Sequence, residues 1–234
     1  MAYTEFREDA VAYRVKKMVD LREGMDASKL HVKLSYGNKK CTALVPSVSL
    51  IPVADCGRAC KLCSKGCYAV RNVCYREGVR KQLANNSAIF KADPVRYMKE
   101  IEMQAHFLRF MRWYVSGEIQ DPAYLTAMVH IAEVVPTCEF LCFTKQFDIV
   151  NGYLDDHKEG FPKNLHIILS GWRGDANQNP HNLPVSSPVW KDGTKSCMVT
   201  DNAIWCRGDC SQCAQVCGGC WGAKNGDTIL FEAH

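Results

Sequence analysis

Two consecutive stretches of the sequence decide the fold: DPVRYMKEIEMQAHFLRFMRWYVSGE (residues 93–118) and DPAYLTAMVHIAEVVPTCEFLCFTK (residues 121–145). Each begins with an aspartate before a proline, a pairing that starts helices because the aspartate caps the first turn and proline fits its first position. Apolar residues at helical spacing follow, and then a short apolar run typical of a buried strand. Helices and strands that alternate about every 25–30 residues indicate parallel βαβ units.

The same reasoning extends to the rest of the chain. Only about three clear units are visible, and a full eight-unit barrel usually needs about 250 residues. We therefore expect an α/β protein with a partial parallel βα barrel or an open parallel sheet over residues 1–200. A cysteine-rich segment, residues 201–234, should pack on the same domain. The further predicted elements are a helix over 4–21, β-like passages at 31–34 and 42–45, strands over 110–115, 139–143 and 165–169, and a helix over 148–157.

Composition excludes several classes of protein. The chain has 234 residues, enough for one domain with a continuous core, and no apolar run approaches the roughly 18 to 20 residues of a membrane span. The N-terminus has neither the basic nor the apolar part of a secretory signal, so we expect a cytoplasmic protein with reduced cysteines. A net charge of only +4 does not by itself indicate a nucleic-acid partner.

Fourteen cysteines are far more than a cytoplasmic protein ordinarily carries, and this excess favours metal or cluster ligation. Zinc sites usually combine two separated pairs of ligands. Four cysteines on one short loop instead suit an iron–sulfur cluster, whose corners lie several ångströms apart. The first tract therefore predicts a cluster, with zinc as the alternative; it consists of Cys56, Cys60, Cys63 and Cys67.

A second cysteine tract lies near the C-terminus, and its first four members repeat the spacing of the first tract. Five cysteines exceed the needs of one four-ligand site. A second cluster is the simplest interpretation, while a structural zinc, or one site that draws on both tracts, remains open. The members are Cys206, Cys210, Cys213, Cys217 and Cys220. Five isolated cysteines are expected to pack as small apolar side chains: Cys41, Cys74, Cys138, Cys142 and Cys197.

The spacing of Cys56, Cys60 and Cys63 resembles the loop with which radical S-adenosylmethionine enzymes hold a 4Fe–4S cluster with one iron open. The chain as a whole more closely resembles the phage "gene product 88" family, from about residue 34 to residue 221. Four segments carry this closer match: GCYA at 66–69, RWYVSGE at 112–118, FTK at 143–145, and the run from Cys213 through Cys217 and Cys220 to Trp221.

The resemblance to the radical enzymes implies a parallel barrel whose cluster loop lies at the carboxyl ends of the strands. One or two 4Fe–4S clusters, S-adenosylmethionine and a reductant protein would then be the cofactors and partner. Ser116, Gly117 and Glu118 would take the place of the Gly-Gly-Glu stretch that contacts the methionine part of that cofactor. Polar residues at other strand ends would line the pocket: Thr144, Lys145, Ser170 and Arg173.

Three functional hypotheses stay open. The first is a radical S-adenosylmethionine-like enzyme of unknown substrate. The second is a non-catalytic cluster protein for electron transfer, sensing or structure, because Cys67 could coordinate the iron that catalysis needs open, and because Leu62 stands where the motif usually has an aromatic residue. The third is a cluster- or zinc-containing protein that binds nucleic acid through the basic stretch at residues 58–81.

Overall fold

The computed structural model describes residues 8–37, 43–57, 67–73, 76–171, 178–196, 198–200 and 203–232. Its helices are α1 (Glu8–Glu23), α2 (Glu77–Ala92), α3 (Pro94–Ala105), α4 (Pro122–Val134), α5 (Phe147–Asp156) and α6 (Cys210–Gln215). Its strands are β1 (Ser47–Val48), β2 (Phe110–Trp113), β3 (Glu139–Thr144), β4 (Leu165–Ser170), β5 (Val185–Val189), β6 (Ala203–Trp205) and β7 (Thr228–Glu232).

The seven strands form one sheet in the order β1-β2-β3-β4-β5-β7-β6, and every neighbouring pair is parallel. The predicted α/β class and parallel sheet are confirmed. The sheet is open, because β1 and β6 lie at its two edges. The C-terminal cysteine-rich segment contributes β6 and β7 to this sheet.

The two faces of the sheet are covered differently. Since side chains alternate along a strand, Met111 and Trp113 point to one face while Phe110 and Arg112 point to the other. The first face carries the main core, built with helices α2 to α5. On the second face a smaller core packs the C-terminal cysteine-rich segment against the strands.

The two predicted aspartate-proline helix starts are confirmed. Asp93 accepts a hydrogen bond from Arg96 N at 2.9 Å, and Asp121 accepts one from Tyr124 N at 2.7 Å. Each proline occupies the first turn, where its missing N–H is not needed. Strands β2 and β3 begin after these helices, as the sequence pattern indicates.

Helix α2 was not predicted, and it explains why the passage at 31–34 is not a strand. Its central residues include the buried Asn85 and Asn86, which hide the apolar periodicity. The Asn86 amide accepts from Lys33 N and donates to Lys33 O, both at 2.9 Å, and Asn85 donates to His31 O at 2.8 Å. The helix thus supplies by side chain the hydrogen bonds that a neighbouring strand would supply.

Two further predicted elements differ from the structure in their bounds. Residues 43–45 form a turn, residue 42 lies outside the described residues, and the strand here is the two-residue β1. The helix predicted over 4–21 runs from Glu8 to Glu23, and residues 1–7 lie outside the described part.

Within the described part, none of the helices is long and apolar enough to cross a membrane.

Candidate metal centres

The first cysteine loop leaves the sheet at the carboxyl end of β1 and returns beside β2. Cys56 and Cys67 belong to the described residues, whereas Cys60 and Cys63 lie outside them. Val53 N donates to the Cys56 sulfur at 3.1 Å, and the backbone N–H of Gly117, just past the end of β2, lowers the pKa of Cys56. The Tyr68 hydroxyl donates to Val115 O in the same region. Both described cysteines therefore lie at the carboxyl edge of the sheet, where ligands bind in parallel α/β folds.

A buried carboxylate fixes the start of this loop. Asp55 is fully buried, and its Oδ2 accepts from Ile51 N at 2.9 Å. Its Oδ1 lies 3.6 Å from the Arg22 guanidinium of α1 and 3.9 Å from the Lys91 ammonium of α2. A buried charge must be compensated by opposite charges and hydrogen bonds. Asp55 thus ties two helices to the residue next to Cys56.

Two glutamines hold the backbone on either side of Cys56. Gln120 Nε2 donates to Asp55 O at 2.6 Å, and Gln146 Nε2 donates to Cys56 O at 3.1 Å. The next residue, Gly57, has φ +56°, and a Cβ there would lie 2.7 Å from Gln146 Nε2. Glycine suits this position because of its backbone angle, and a side chain here would displace the Gln146 amide from Cys56 O.

Both described thiols of this loop resist ionisation. Burial raises the pKa of Cys56 to about 12, and the negative charges of Glu118 and Cys67 act in the same direction. Burial also raises the pKa of Cys67, while the Lys145 cation and backbone N–H groups lower it. A metal that binds these sulfurs would displace their protons, which is the normal coupling between metal binding and thiol ionisation.

The segment that follows β2 lies close to the segment that follows β1, and its residues Ser116 and Gly117 have different roles. Gly117 has φ +89°, and a Cβ on it would lie 2.8 Å from Leu50 Cβ. Ser116 is buried, and its hydroxyl donates to Leu50 O at 2.8 Å. Of these two predicted site residues, Gly117 lies next to Cys56. Ser116 instead links the chain after β2 to the chain after β1 through its hydroxyl.

Glu118 connects the ends of β2 and β3. Its carboxylate accepts from Thr144 Oγ1 at 2.7 Å, Lys145 N at 2.8 Å and Ile119 N at 3.0 Å. Burial raises its pKa, and these three hydrogen bonds oppose that shift. A carboxylate offers about four acceptor positions, and donors among the described residues fill three of them. The structure thus brings Glu118, Thr144 and Lys145 together beside Cys56 and Cys67.

The second cysteine tract lies against the second face of the sheet. Trp221 is buried there, with its ring 5.3 Å from that of Phe110 and 6.0 Å from that of His166. Its Nε1 donates to Cys210 O at 3.3 Å. The tryptophan therefore anchors the tract on strands β2 and β4.

Several thiols of this tract lie close enough to influence each other. Burial raises the pKa of Cys220 to about 12, and the thiolates of Cys206 and Cys210 raise it further, as does that of Cys213. The Arg112 guanidinium lowers it; this side chain lies 3.9 Å from Cys210 Sγ. A group of thiols beside the cations of Arg112 and Arg207 offers the sulfur donors that an iron–sulfur cluster or zinc uses.

Among the described residues, no three His, Cys, Asp or Glu side chains are gathered so that they could hold a metal ion. The metal sites predicted from the two cysteine tracts stay predictions.

A comparison with family models covers most of the chain: the model described as Gene product 88 matches residues 20–204. The chain belongs to the Gene product 88 family. The predicted resemblance to this phage family is thereby confirmed over residues 20–204, whereas the run from Cys213 to Trp221, which was part of that prediction, lies outside the match. The relationship to radical S-adenosylmethionine enzymes stays a prediction. No curated protein and no solved structure matches the chain. The region shared with Gene product 88 contains the whole first cysteine loop and ends before Cys206.

The isolated cysteines were predicted to pack as small apolar side chains, and the two that the structure describes do so. Cys142 is fully buried in the main core, and Cys138 is fully buried beside it. The remaining three, Cys41, Cys74 and Cys197, lie outside the described residues.

The basic stretch at 58–81 is described only in part. Arg58, Lys61 and Lys65 lie outside the described residues, and Lys81 pairs with Glu77 at 2.6 Å on the exposed side of α2. The nucleic-acid hypothesis therefore stays a prediction.

A cavity of about 430 Å³ lies at the amino ends of β4 and β5. His157, His166, His181 and Cys220 are among the residues that line it. This edge of the sheet is opposite the one that carries Cys56, so the cavity is separate from the first cysteine loop. Of the other predicted pocket residues, Ser170 ends β4 and pairs with β5, and Arg173 lies outside the described residues.

Sequence reasoning missed two charged residues that the structure places at the cysteine sites. Asp55 directly precedes Cys56, and a charged residue between an apolar run and a cysteine loop was the available signal. Arg112 interrupts the otherwise apolar strand β2. A lone charge within a buried strand generally has a specific partner, and here that partner is Cys210.

Proposed function

We propose that this Gene product 88 family member is an iron–sulfur protein that functions in the cytoplasm of the phage's host. Its primary cluster is held by Cys56, Cys60 and Cys63 in the loop after β1. The observation that supports the proposal is the position of Cys56 and Cys67, both half-buried at the carboxyl edge of the sheet. Two half-buried thiols on one anchored loop match the dense spacing of the four cysteines in the sequence.

The finer proposal is a radical S-adenosylmethionine-like enzyme with a partial-barrel arrangement around this edge. The cofactor, when bound, supplies a carbon radical that abstracts hydrogen, after one-electron reduction by a partner protein. Support comes from the polar group beside Cys56 and Cys67. Glu118 accepts hydrogen bonds from Thr144 Oγ1 and Lys145 N, and the Lys145 cation lowers the pKa of Cys67. A carboxylate and a cation near the cysteines would suit the ammonium and carboxylate groups of the cofactor's methionine part.

A second candidate is a non-catalytic cluster protein, and one observation favours it. A negative charge on Cys67 raises the pKa of Cys56, which supports Cys67 as the fourth ligand of the proposed cluster. A cluster with four cysteine ligands has no open iron. It would then serve electron transfer, sensing or structure.

The test is the variant Cys67→Ala, purified without oxygen, with Cys138→Ala as the control for loss of a buried thiol away from the loop. The enzyme proposal expects unchanged iron and sulfide in both variants, and a change in the spectrum of the reduced cluster when S-adenosylmethionine is added. The non-catalytic proposal expects loss of about four irons in Cys67→Ala alone, with no effect of the cofactor. Stoichiometric zinc without sulfide in the unmodified protein would refute both.

A further inference from the structure

Three loops enclose the cavity of about 430 Å³ at the amino edge of the sheet. One wall is the stretch of residues 157–163, which leads into β4. The opposite wall comes from the segments that precede β5 and β7, including His181 and Asn225. Small-molecule sites usually have a volume of about 300–1,000 Å³, so this cavity has the size of such a site.

Hydrogen bonds hold the walls of the cavity in place. Asn164 Nδ2 donates to Ala132 O and to Cys138 O, both at 2.9 Å, which ties the loop before β4 to the end of α4 and the start of β3. Gly226 N donates to Asn182 O at 2.8 Å, which joins the loop before β7 to the loop before β5. The cavity is therefore preformed, and a ligand would need to order little of the chain.

Aromatic rings form part of the wall that leads into β4. The ring of Tyr153 stacks on that of His157, with centroids 4.0 Å apart, and on that of Phe161, with centroids 5.1 Å apart. His157 and Phe161 line the cavity. The imidazole is also fixed by a hydrogen bond from its Nδ1 to Tyr153 O at 2.9 Å. Rings that are already held parallel offer a surface on which a planar ligand can stack.

Lysine side chains on the same wall make the cavity entrance positive. Lys158 and Lys163 line the cavity and are both exposed. Among the described residues of the lining, Glu159 is the one acid. Two lysine charges therefore face one carboxylate charge. Lysine ammonium groups bind phosphate as point charges, so the excess favours an anionic ligand.

Two carboxylates near the cavity have histidine partners. Glu139 Oε2 lies 2.8 Å from His166 Nε2, and Asp155 Oδ1 lies 3.1 Å from His181 Nε2. Both histidines belong to the cavity wall. Because these carboxylates are engaged by histidines, the lysine ammonium groups are left for a ligand.

We propose that this cavity binds a nucleoside monophosphate, with its base against the rings of His157 and Phe161 and its phosphate against Lys158 and Lys163. A base has a flat face that stacks on aromatic side chains, and the phosphate carries the charge that the lysines balance. The site lies at the edge of the sheet opposite Cys56 and does not depend on the proposed clusters. It is therefore separate from any chemistry at the first cysteine loop.

The experiment is isothermal titration calorimetry of the full chain with adenosine monophosphate. The double variant Lys158→Ala/Lys163→Ala should weaken binding about tenfold, because two exposed charge pairs are lost. Phe161→Leu keeps the apolar bulk but removes the ring, and it should weaken binding at least about fivefold. Lys99→Ala is the matched control, since Lys99 is an exposed lysine of α3 that does not line the cavity, and it should leave the affinity unchanged.

Inorganic phosphate and adenosine, each titrated alone into the unmodified protein, test the two halves of the assignment without any variant. Both should bind more weakly than adenosine monophosphate. Phosphate binding as tight as that of the nucleotide would overturn the assignment, and so would the absence of saturable nucleotide binding or an equal loss of affinity in Lys99→Ala. The iron content of the protein does not enter this test, so its outcome and that of the proposed iron–sulfur function are independent.

Discussion

Replacement of Arg112 should change the reduction potential of the cluster predicted for the C-terminal cysteine tract. This guanidinium lies on the second face of the sheet, 3.9 Å from Cys210 Sγ and 4.9 Å above the ring of Phe143. Reduction adds an electron to the cluster, and a nearby cation stabilises the added negative charge. Arg112→Gln should therefore make the cluster harder to reduce and lower its potential.

The size of the effect follows from the distance. The added electron is spread over irons beyond the ligand sulfur, about 8 Å from the guanidinium when typical iron–sulfur dimensions are added. With an effective dielectric constant of about 20, a unit charge at that distance contributes about 2 kcal/mol. For a one-electron couple, about 1.4 kcal/mol corresponds to about 59 mV. The expected decrease is therefore about 90 mV, and relaxation of the surroundings would reduce it toward about 40 mV.

The assay is an oxygen-free redox titration followed by electron paramagnetic resonance. Two controls isolate the charge: Arg112→Lys keeps it and should shift the potential little, and Arg109→Gln removes an exposed cation next to β2, where solvent screens it. Only one of two midpoint potentials should move, since the first cluster is held at the edge near Cys56. Unchanged potentials in Arg112→Gln, or an equal shift in Arg112→Lys, would refute the reasoning.

Three further predictions concern the elements that hold the sites in place, each measured as the free energy of unfolding in urea. Gly117→Ala should destabilise the protein by about 1–3 kcal/mol, because φ is +89° and the new Cβ would lie 2.8 Å from Leu50 Cβ; Gly160→Ala, with φ +79° and no atom within 4 Å, should cost clearly less. Asp121→Ala should cost about 1 kcal/mol through loss of the α4 cap, and no change would show that this cap is dispensable. Trp221→Ala should cost about 3–5 kcal/mol and make the C-terminal tract sensitive to protease, and an unchanged digestion pattern would contradict its anchoring role.

Strand β2 connects the two candidate sites. Arg112 in the strand contacts the C-terminal tract, and Gly117 just beyond its end lies next to Cys56. Five residues span at most about 17 Å. If both tracts hold the predicted clusters, an enzyme and an electron-transfer protein would each use this connection, and the Cys67 variant distinguishes between them.

Local signals in the sequence were sufficient for the middle of the fold. The aspartate caps at Asp93 and Asp121 are satisfied within three residues, so they can be recognised without knowledge of the tertiary structure. The strands after them are apolar because both faces of the sheet are covered. The expected meeting of Glu118 and Lys145 also followed from the sequence, since adjacent parallel strands end at the same edge.

Features that depend on distant partners could not be read in this way. Helix α2 buries Asn85 and Asn86, whose polarity conceals the helical pattern, and only the extended backbone near Lys33 explains them. Strand β1 has two residues, and β5, β6 and β7 pair out of chain order. Such pairings depend on packing across the whole sheet, and a short stretch of sequence carries no information about that packing.

The sequence by itself determined the parallel α/β class, the strand ends that carry polar residues, and two dense cysteine tracts with equal spacing. Only the tertiary structure decided which tract lies at the edge of the sheet and which lies on its face. It also decided that Cys217 turns outward while Cys220 turns in, and that Arg112 faces Cys210. The physical reason is that spacing along a chain fixes which residues can meet locally, whereas burial and charge pairing between distant segments fix which of them do meet.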